Sequence, residues 1–416
     1  MYIERAVESL IERTAHSFPA VVVYGPRQVG KSTTVMKLYG SRMSSVTLDD
    51  AEDRRLAQEN PRLFLETWKW PVIIDEIQKA PNLLDAIKIE IDRQKALWLK
   101  NDERLKLMYI LTGSNRFELQ QGISESLAGR CGIVEMDSLS QSEKYHEHAP
   151  VFHPDLQSLR DRERNSNVKY RTRARIFQDL FNGGMPDVVT GMAERDLYYR
   201  SYIDTYIEKD VRQLIKASSE MQFRNFISIL ALRTGQEVKY DRIASAAGID
   251  ARTCRQWMSI LETSGLIYIL QPYMSNISKR IIKAPKLYFM DTELCAYLCK
   301  WPTAEMVEKG AMGGAFFETY ITSEIIKNLR AHGVDPRQYL FYYRDIDQKE
   351  IDLIYAETDR IYPIDIKKGI APEKADKNFS VLKKYKMPVE EGIVIDCCDR
   401  MRPINENAWY FPAFLV

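Results

Sequence analysis

Three sets of residues in this chain have the types and spacings of phosphate and metal chemistry. Gly25-Pro26-Arg27-Gln28-Val29-Gly30-Lys31-Ser32 reads G-x-x-x-x-G-K-S and is followed by Thr33. Such a loop brings backbone N–H groups up to a nucleotide's phosphates, and the helix that follows adds its partial positive charge. Lys31 would reach the β and γ phosphates of ATP, and Ser32 would ligate Mg²⁺. Asp75-Glu76 closes the apolar run Val72-Ile73-Ile74, so Asp75 would hold the Mg²⁺ through water and Glu76 would polarise the attacking water. The third set is Asp352 followed by Asp365-x-Lys367, with Glu318 upstream. Alternate residues Asp365 and Lys367 face one side of a strand, where carboxylates can hold Mg²⁺ and a lysine can help activate water.

Each set has a plainer reading. A tight glycine turn would explain Gly25–Ser32, an acidic strand end would explain Asp75-Glu76, and an ordinary amphipathic hairpin would explain Asp352 to Lys367. The first two sets argue against their own alternatives by occurring together, one after the other, each behind a strand. A further strand, Lys106–Leu111, runs into Thr112-Gly113-Ser114-Asn115. Ser114 or Asn115 could sense the γ-phosphate or orient the water, and a polar turn would carry the same residues.

The elements that must position these groups follow from local pattern. Val21-Val22-Val23 is β-branched throughout and predicts a buried parallel strand ahead of the loop. Up to about residue 140, helix-like segments (3–15, 32–39, 51–68, 82–94) alternate with strand-like ones (21–24, 45–48, 72–74, 107–111), which predicts an α/β fold with helices on both faces of a parallel sheet. Residues 141 to about 170 turn polar and read as a linker or mobile excursion. Helical patterns then run to about 230, broken at Asn182-Gly183-Gly184-Met185-Pro186.

Tyr240–Ala247 ends at Gly248, Asp250 can cap a helix over Ala251–Thr263, and two strands, Leu266–Leu270 and Lys286–Phe289, flank a basic turn. Helix, turn, helix and hairpin is the plan of a winged helix. Arg252, Arg255, Lys279, Arg280, Lys283 and Lys286 would give it a positive face, suited to DNA or equally to plain solvation. In the last segment a long amphipathic helix from Gly314 to Arg330 precedes strands at 340–344, 350–355 and 362–368. The expected division is therefore 1–145 for the ATPase core, 146–225 for a linker and helical lid, 226–300 for the winged helix and 301–416 for a nuclease-like α/β domain.

Composition sets the frame. A chain of 416 residues with 45% hydrophobic content can hold two to four domains with real cores. Neither a signal peptide nor a run of eighteen apolar residues is present, so a cytoplasmic protein without membrane contact is expected. The six cysteines lack C-x-x-C pairs, which speaks against zinc or a redox centre, and a net charge of +1 leaves any nucleic-acid contact to a local patch.

Taken together, these residues resemble a family of prokaryotic AAA-type ATPases that end in a domain known as DUF4143. The stretches that carry the resemblance are Gly25–Ser32, Ile74–Pro81, Leu111–Asn115 with Leu127-Ala128-Gly129-Arg130, Gly183–Pro186, Tyr206–Arg212, Leu261–Leu266, Lys286–Asp291, Phe317-Glu318 and Ile364–Lys367. The resemblance implies an AAA core similar to the STAND and archaeal ATPase groups, then a winged helix and a nuclease-like domain. It also implies Arg130 as an arginine finger or phosphate-sensing residue, for which a structural arginine at a strand edge is the alternative. Two positions depart from the family pattern: Glu293 in Asp291-Thr292-Glu293 stands where glycine is usual, and Asp365 stands where glutamate is more frequent.

Three functions compete on these residues. The leading one is an ATP·Mg²⁺-driven switch that hydrolyses ATP, with Lys31, Ser32, Asp75, Glu76 and an arginine at its centre. The second is an ATP-gated, Mg²⁺-dependent DNA nuclease using Glu318, Asp352, Asp365 and Lys367. The third is a non-enzymatic protein-docking module that nucleotide orders. Monomer and dimer are both compatible with the sequence.

Overall fold

The computed structural model describes residues 2–114, 126–206, 220–274, 284–385 and 387–416. The valine run forms strand β1 (Ala20–Tyr24), buried along its whole length. Its alternate side chains leave by opposite faces, as the strand period requires. Val21 and Val23 pack with Ile73, Ile110 and Val134 on one face, and Ala20 and Val22 pack with Ile74 and Leu111 on the other.

Four more strands complete this sheet: β2 (Ser44–Thr47), β3 (Val72–Asp75), β4 (Tyr109–Gly113) and β5 (Cys131–Glu135). They pair in the order β2-β3-β4-β1-β5, all parallel. Because β4 lies between β1 and β3, its C-terminal end emerges between the 25–32 loop and Asp75.

Helices cover both faces. Helix α1 (Glu8–Ser17) and α2 (Lys31–Tyr39) bury Ile11, Ala15 and Val35 on the Val21 side. The other face carries α3 (Ala51–Glu59), α4 (Pro61–Thr67) and α5 (Leu83–Lys100), whose Leu83, Leu84, Ile87 and Ile91 are buried there. One helix was expected over 51–68 and two are found. Asn60 ends the first and caps the second by accepting from the Leu63 N–H, and Pro61 fits the first turn, where its missing N–H costs nothing.

The polar stretch after residue 140 is packed rather than loose. Ser140 and Glu143 close a capping box at the start of the helix Gln141–Lys144. A second helix, Leu156–Asn165, buries Leu159 and Arg162, and Phe152 is fully buried between them. Arg162 Nε donates to the Leu415 carbonyl at 2.5 Å and Nη1 to the Pro150 carbonyl at 2.8 Å. Sequence reading missed this because the segment is anchored by polar side chains and few apolar ones.

Helices Arg173–Phe181, Pro186–Val189 and Arg195–Tyr206 follow. Next come helices Glu220–Ala231, Tyr240–Ala247 and Ala251–Thr263 with a small antiparallel sheet. Its strands β6 (Gln236–Glu237), β7 (Ile267–Leu270) and β8 (Lys286–Phe289) lie in the order β6-β8-β7. Gly248, at φ +67, ends one helix, and Asp250 caps the next by accepting from the Thr253 N–H at 2.9 Å.

The C-terminal region holds a mixed six-stranded sheet made of β9 (Leu340–Arg344), β10 (Glu350–Ala356), β11 (Ile361–Ile366), β12 (Gly392–Asp396), β13 (Arg402–Asn405) and β14 (Ala408–Pro412). The order is β13-β14-β12-β11-β10-β9. Helix Gly313–Ala331 was expected to be amphipathic, yet Thr319, Ser323, Glu324, Lys327, Asn328 and Arg330 are all buried. Its polar side meets the chain leaving β5. Gln141 N–H donates to Glu324 Oε2 at 2.5 Å, Lys327 Nζ to the Leu139 carbonyl at 3.2 Å, and Phe152 N–H to Asn328 Oδ1 at 2.6 Å. Among the described residues no helix is long and apolar enough to cross a membrane.

Candidate functional site

The 25–32 loop leaves β1 at Gly25, whose φ is +156. A Cβ there would come 2.0 Å from the Met136 carbonyl oxygen, so only glycine allows the loop to pass the end of β5. Gly30, at φ +94, starts α2 from the left-handed region. The Lys31 side chain is buried at 7% exposure and donates to the Gly25 carbonyl at 3.0 Å and the Pro26 carbonyl at 2.7 Å. Its ammonium therefore sits inside the curve of the loop.

Next to it, Ser32 Oγ donates to Asp75 Oδ1 at 2.7 Å, and the Thr112 hydroxyl at the end of β4 donates to the same oxygen. Glu76 has left-handed backbone at φ +57, a costly conformation for a residue of this size. Its carboxylate accepts from Gln78 Nε2 and, at 3.4 Å, from the Ser114 hydroxyl. Gln78 Oε1 is buried and accepts no hydrogen bond among the described residues. Lys31, Ser32, Asp75, Glu76 and Ser114 thus meet at one corner. Asn115 lies outside the described residues.

Two contributors were not read from sequence. Thr112 was seen only as part of a polar turn, and pairing of β4 with both β1 and β3 is what turns it toward Asp75. Arg5, 6% exposed, braces the loop from behind. Its Nη1 donates to the Val29 carbonyl at 2.7 Å, Nη2 to the Asp137 carbonyl at 2.7 Å and Nε to Glu143 Oε1 at 3.0 Å. Burial pushes the Glu143 carboxyl up, but the Arg5 charge and the Ser140 and Ala6 N–H groups bring it below the usual range. No local signal in the sequence ties Arg5 to a loop twenty residues on.

Arg130 does not join this corner. It precedes β5, and the pairing of Cys131 with Ala20 puts it at the opposite end of the sheet, about 20 Å of strand away from Gly25. There its guanidinium forms a bidentate pair with Asp92, Nε to Oδ1 at 2.7 Å and Nη2 to Oδ2 at 2.9 Å. The strand direction alone removes it from its own chain's loop.

A nucleotide with Mg²⁺ fits the residues present. The curve of the loop carries a cation for phosphate oxygens, Ser32 and Asp75 offer a hydroxyl and a carboxylate to a hard cation, and Gln78 Oε1 is an acceptor of the kind a positioned water satisfies.

The second candidate centre also assembles, with a changed membership. Oxygens of Glu318, Glu350 and Asp352 lie within 4.8 Å of one another. Glu350, at the start of β10, was not expected. Asp365 is not one of these three but adjoins Asp352: its Oδ2 pairs with Lys367 Nζ at 3.0 Å, and Lys367 also reaches Asp352 Oδ2 at 3.1 Å. Burial and the adjacent Asp352 charge push the Asp365 carboxyl up to about 9, against the pull of Lys367. Asp352, also pushed up by burial, is brought below the usual range by Lys367 and Lys286. Glu318 is raised by burial to about 7, against the pull of Lys286.

The expected positive face is also altered. Lys286 is buried at 1% exposure among these carboxylates, and Lys279, Arg280 and Lys283 lie outside the described residues. Arg252 and Arg255 remain at the surface, the latter 4.9 Å over the Tyr240 ring.

A third buried cluster explains Glu293. Asp291 caps the helix Thr292–Leu298 by accepting from the Leu294 N–H at 2.9 Å, and it accepts from the Gly184 N–H at 3.0 Å. The Tyr199 hydroxyl donates to Asp291 Oδ1 at 2.9 Å and to Glu293 Oε2 at 3.1 Å. Burial, then the Asp291 charge, raises Glu293 to about 9 despite Arg195 nearby.

Three family models match successive stretches of the chain. Residues 17–145 match the family model described as AAA domain. Residues 173–305 and 313–415 match two domains of unknown function, DUF8612 and DUF4143. Uncharacterised proteins of Mycobacterium tuberculosis and Mycobacterium bovis are each 27% identical over 378 residues, covering 89% of this chain and 76% of the relative. Among solved structures, a Walker-type ATPase of Pyrococcus abyssi is 14% identical, with a TM-score of 0.42 over 71% of this chain and 96% of that one. A RuvB variant of Thermotoga maritima is 13% identical, with a TM-score of 0.31 over 64% and 90%.

Proposed function

We propose that this chain, an AAA-type P-loop protein with a DUF4143 domain at its C-terminal end, binds ATP with Mg²⁺ at residues 25–33 and hydrolyses it with Glu76 as the base. The observation that carries the reading is the left-handed backbone of Glu76 at the end of β3. It turns the carboxylate toward Gln78 and Ser114, beside the Ser32–Asp75 pair. In this reading Lys31 and the loop N–H groups hold the phosphates, Glu76 takes a proton from the attacking water, and Ser114 and Gln78 orient both. Bound Mg²⁺ would be held by Ser32 and, through water, Asp75, and would neutralise charge on the phosphates.

Turnover then serves as a switch. Gly265, at φ +74 just before β7, lies against the loop, where an added Cβ would come 3.0 Å from Pro26 Cγ. This contact supports a route by which the occupied loop biases the small β6-β8-β7 unit, whose helices and hairpin read as a winged helix. Testing needs one pair of measurements on the full chain. ATP binding and single-turnover hydrolysis are compared for wild type and Glu76→Gln, and unimpaired hydrolysis by the variant removes Glu76 from the chemistry.

A further inference from the structure

Both ends of the 25–32 loop rest on the three residues that leave β5. Gly25 passes so close to Met136 that a Cβ on it would come 2.0 Å from the Met136 carbonyl oxygen. Tyr24, just before it, donates its hydroxyl to Glu135 Oε2 at 3.0 Å. At the far end Arg5 ties the Val29 carbonyl to the Asp137 carbonyl, with a 2.7 Å bond to each. Residues 135–137 are therefore the floor on which the curve of the loop is set.

That floor is held by a side chain from the last turn of the helix Gly313–Ala331. Arg330 Nη1 donates to Asp137 Oδ1 at 2.8 Å and stands 3.3 Å from Glu135 Oε1, so it grips the residues on either side of Met136. Its guanidinium also lies 5.7 Å from the centre of the Tyr268 ring on β7. A planar cation that never loses its charge suits a place between two carboxylates and an aromatic ring. Arg330 and Asp137 are both buried, and removing one charge of such a pair strands the other. Burial pushes the Asp137 carboxyl up, and the Arg330 charge is the strongest pull against it.

We propose that Arg330 is a positioning residue of the phosphate loop. By fixing Glu135 and Asp137 it sets Gly25 through Met136 and Val29 through Arg5, so the loop has its binding geometry only with the C-terminal helix docked. The inference rests on the reading that residues 25–33 bind ATP. It adds that a residue three hundred positions away, in the DUF4143 unit, keeps the loop N–H groups aimed.

The test is equilibrium binding of a non-hydrolysable ATP analogue with Mg²⁺ to the full chain, at a temperature where unfolding curves show each variant folded. Wild type is compared with Arg330→Gln, Arg330→Lys, Arg5→Gln and the double variant Arg5→Gln with Arg330→Gln. Arg330→Gln is expected to weaken binding roughly tenfold or more, and Arg330→Lys, which keeps the charge beside Asp137, to recover most of the loss. In the Arg5→Gln background the same Arg330→Gln change is expected to cost less than about threefold, because residues acting through one network do not add. A merely structural arginine would cost the same in both backgrounds, and that result overturns the proposal, as does wild-type affinity in folded Arg330→Gln. If Arg330→Gln does not fold, Arg330→Met with Asp137→Asn leaves no stranded carboxylate at 137 and carries the same comparison. Wild type that binds no analogue removes the ATP reading itself, whereas wild type that binds without regard to Arg330 removes this inference alone.

Discussion

The Ser32 hydroxyl donates to Asp75 Oδ1 at 2.7 Å, joining the first turn of α2 to the end of β3 across the intervening strand β4. Since Thr112 reaches the same oxygen, the carboxylate is fixed before any nucleotide arrives. On the proposed function the corner is therefore preorganised for ATP, and single substitutions in it should separate binding from turnover.

Lys31→Ala removes the cation from the curve of the loop. Affinity for ATP is expected to fall by roughly a hundredfold or more, since each charge-assisted hydrogen bond lost is worth ~1.5–3 kcal/mol. Titration with a fluorescent ATP analogue reads this directly, and a loss below threefold would count against the assignment.

Glu76→Gln preserves the size and hydrogen-bonding shape of the side chain but cannot accept a proton. ATP affinity is expected to stay within about threefold, while turnover drops by roughly 10²–10⁴, the usual worth of a general base. Rapid-quench measurement of a single turnover separates the two effects.

Arg130→Ala should leave ATP affinity unchanged in dilute solution, because the residue lies at the far end of β5 and is paired with Asp92. An exposed pair of this kind contributes ~0–1 kcal/mol to stability. Equilibrium binding at concentrations where the chain is monomeric checks the geometry, and weakened binding there would contradict it.

Gly183→Ala should destabilise the fold. The residue has φ +56, and its new Cβ would come 2.5 Å from Glu293 Cβ, inside the buried Tyr199 cluster. Strain from overpacking plus unfavourable backbone gives an expected loss of about 2–4 kcal/mol, to be read from urea unfolding. Unchanged stability would mean that the loop at 182–186 can move aside.

Glu293 predicts a pH dependence. Its carboxyl is raised to about 9 in the folded chain, against 4.5 for an unperturbed glutamate. Between those values the folded state holds a proton that the unfolded state has released, so this group's contribution is fully present below 4.5 and is lost as pH rises toward 9. The decline is at most ~1.4 kcal/mol per pH unit for one proton. Glu293→Gln is expected to be flatter than wild type when unfolding is measured at several pH values through the neutral range, and parallel curves would show that Glu293 is ionised in the fold.

What could be read in the sequence was local. Gly25–Ser32, Asp75 and Glu76 announce themselves because glycine freedom, β-branched runs and paired carboxylates act over a few residues. The α/β fold with helices on both faces follows from the same alternation. Thr112, Arg5 and Glu350 were missed because their roles depend on strand order or on partners distant in the chain. Lys286 was misread for a related cause. A lysine beside a basic turn looks solvent-facing until packing sets it among Glu318, Glu350 and Asp352.

Burial of the polar side of helix Gly313–Ala331 has a practical consequence. Glu324, Lys327 and Arg330 find their partners in residues 135–141, the stretch that leads out of the β1–β5 sheet. A fragment cut near residue 145 would strip that stretch of its acceptors and donors, and the remaining piece would expose a buried lysine, arginine and glutamate of that helix. The two regions match separate family models, yet they should melt in one transition, and recombinant pieces of either should need the other to stay in solution.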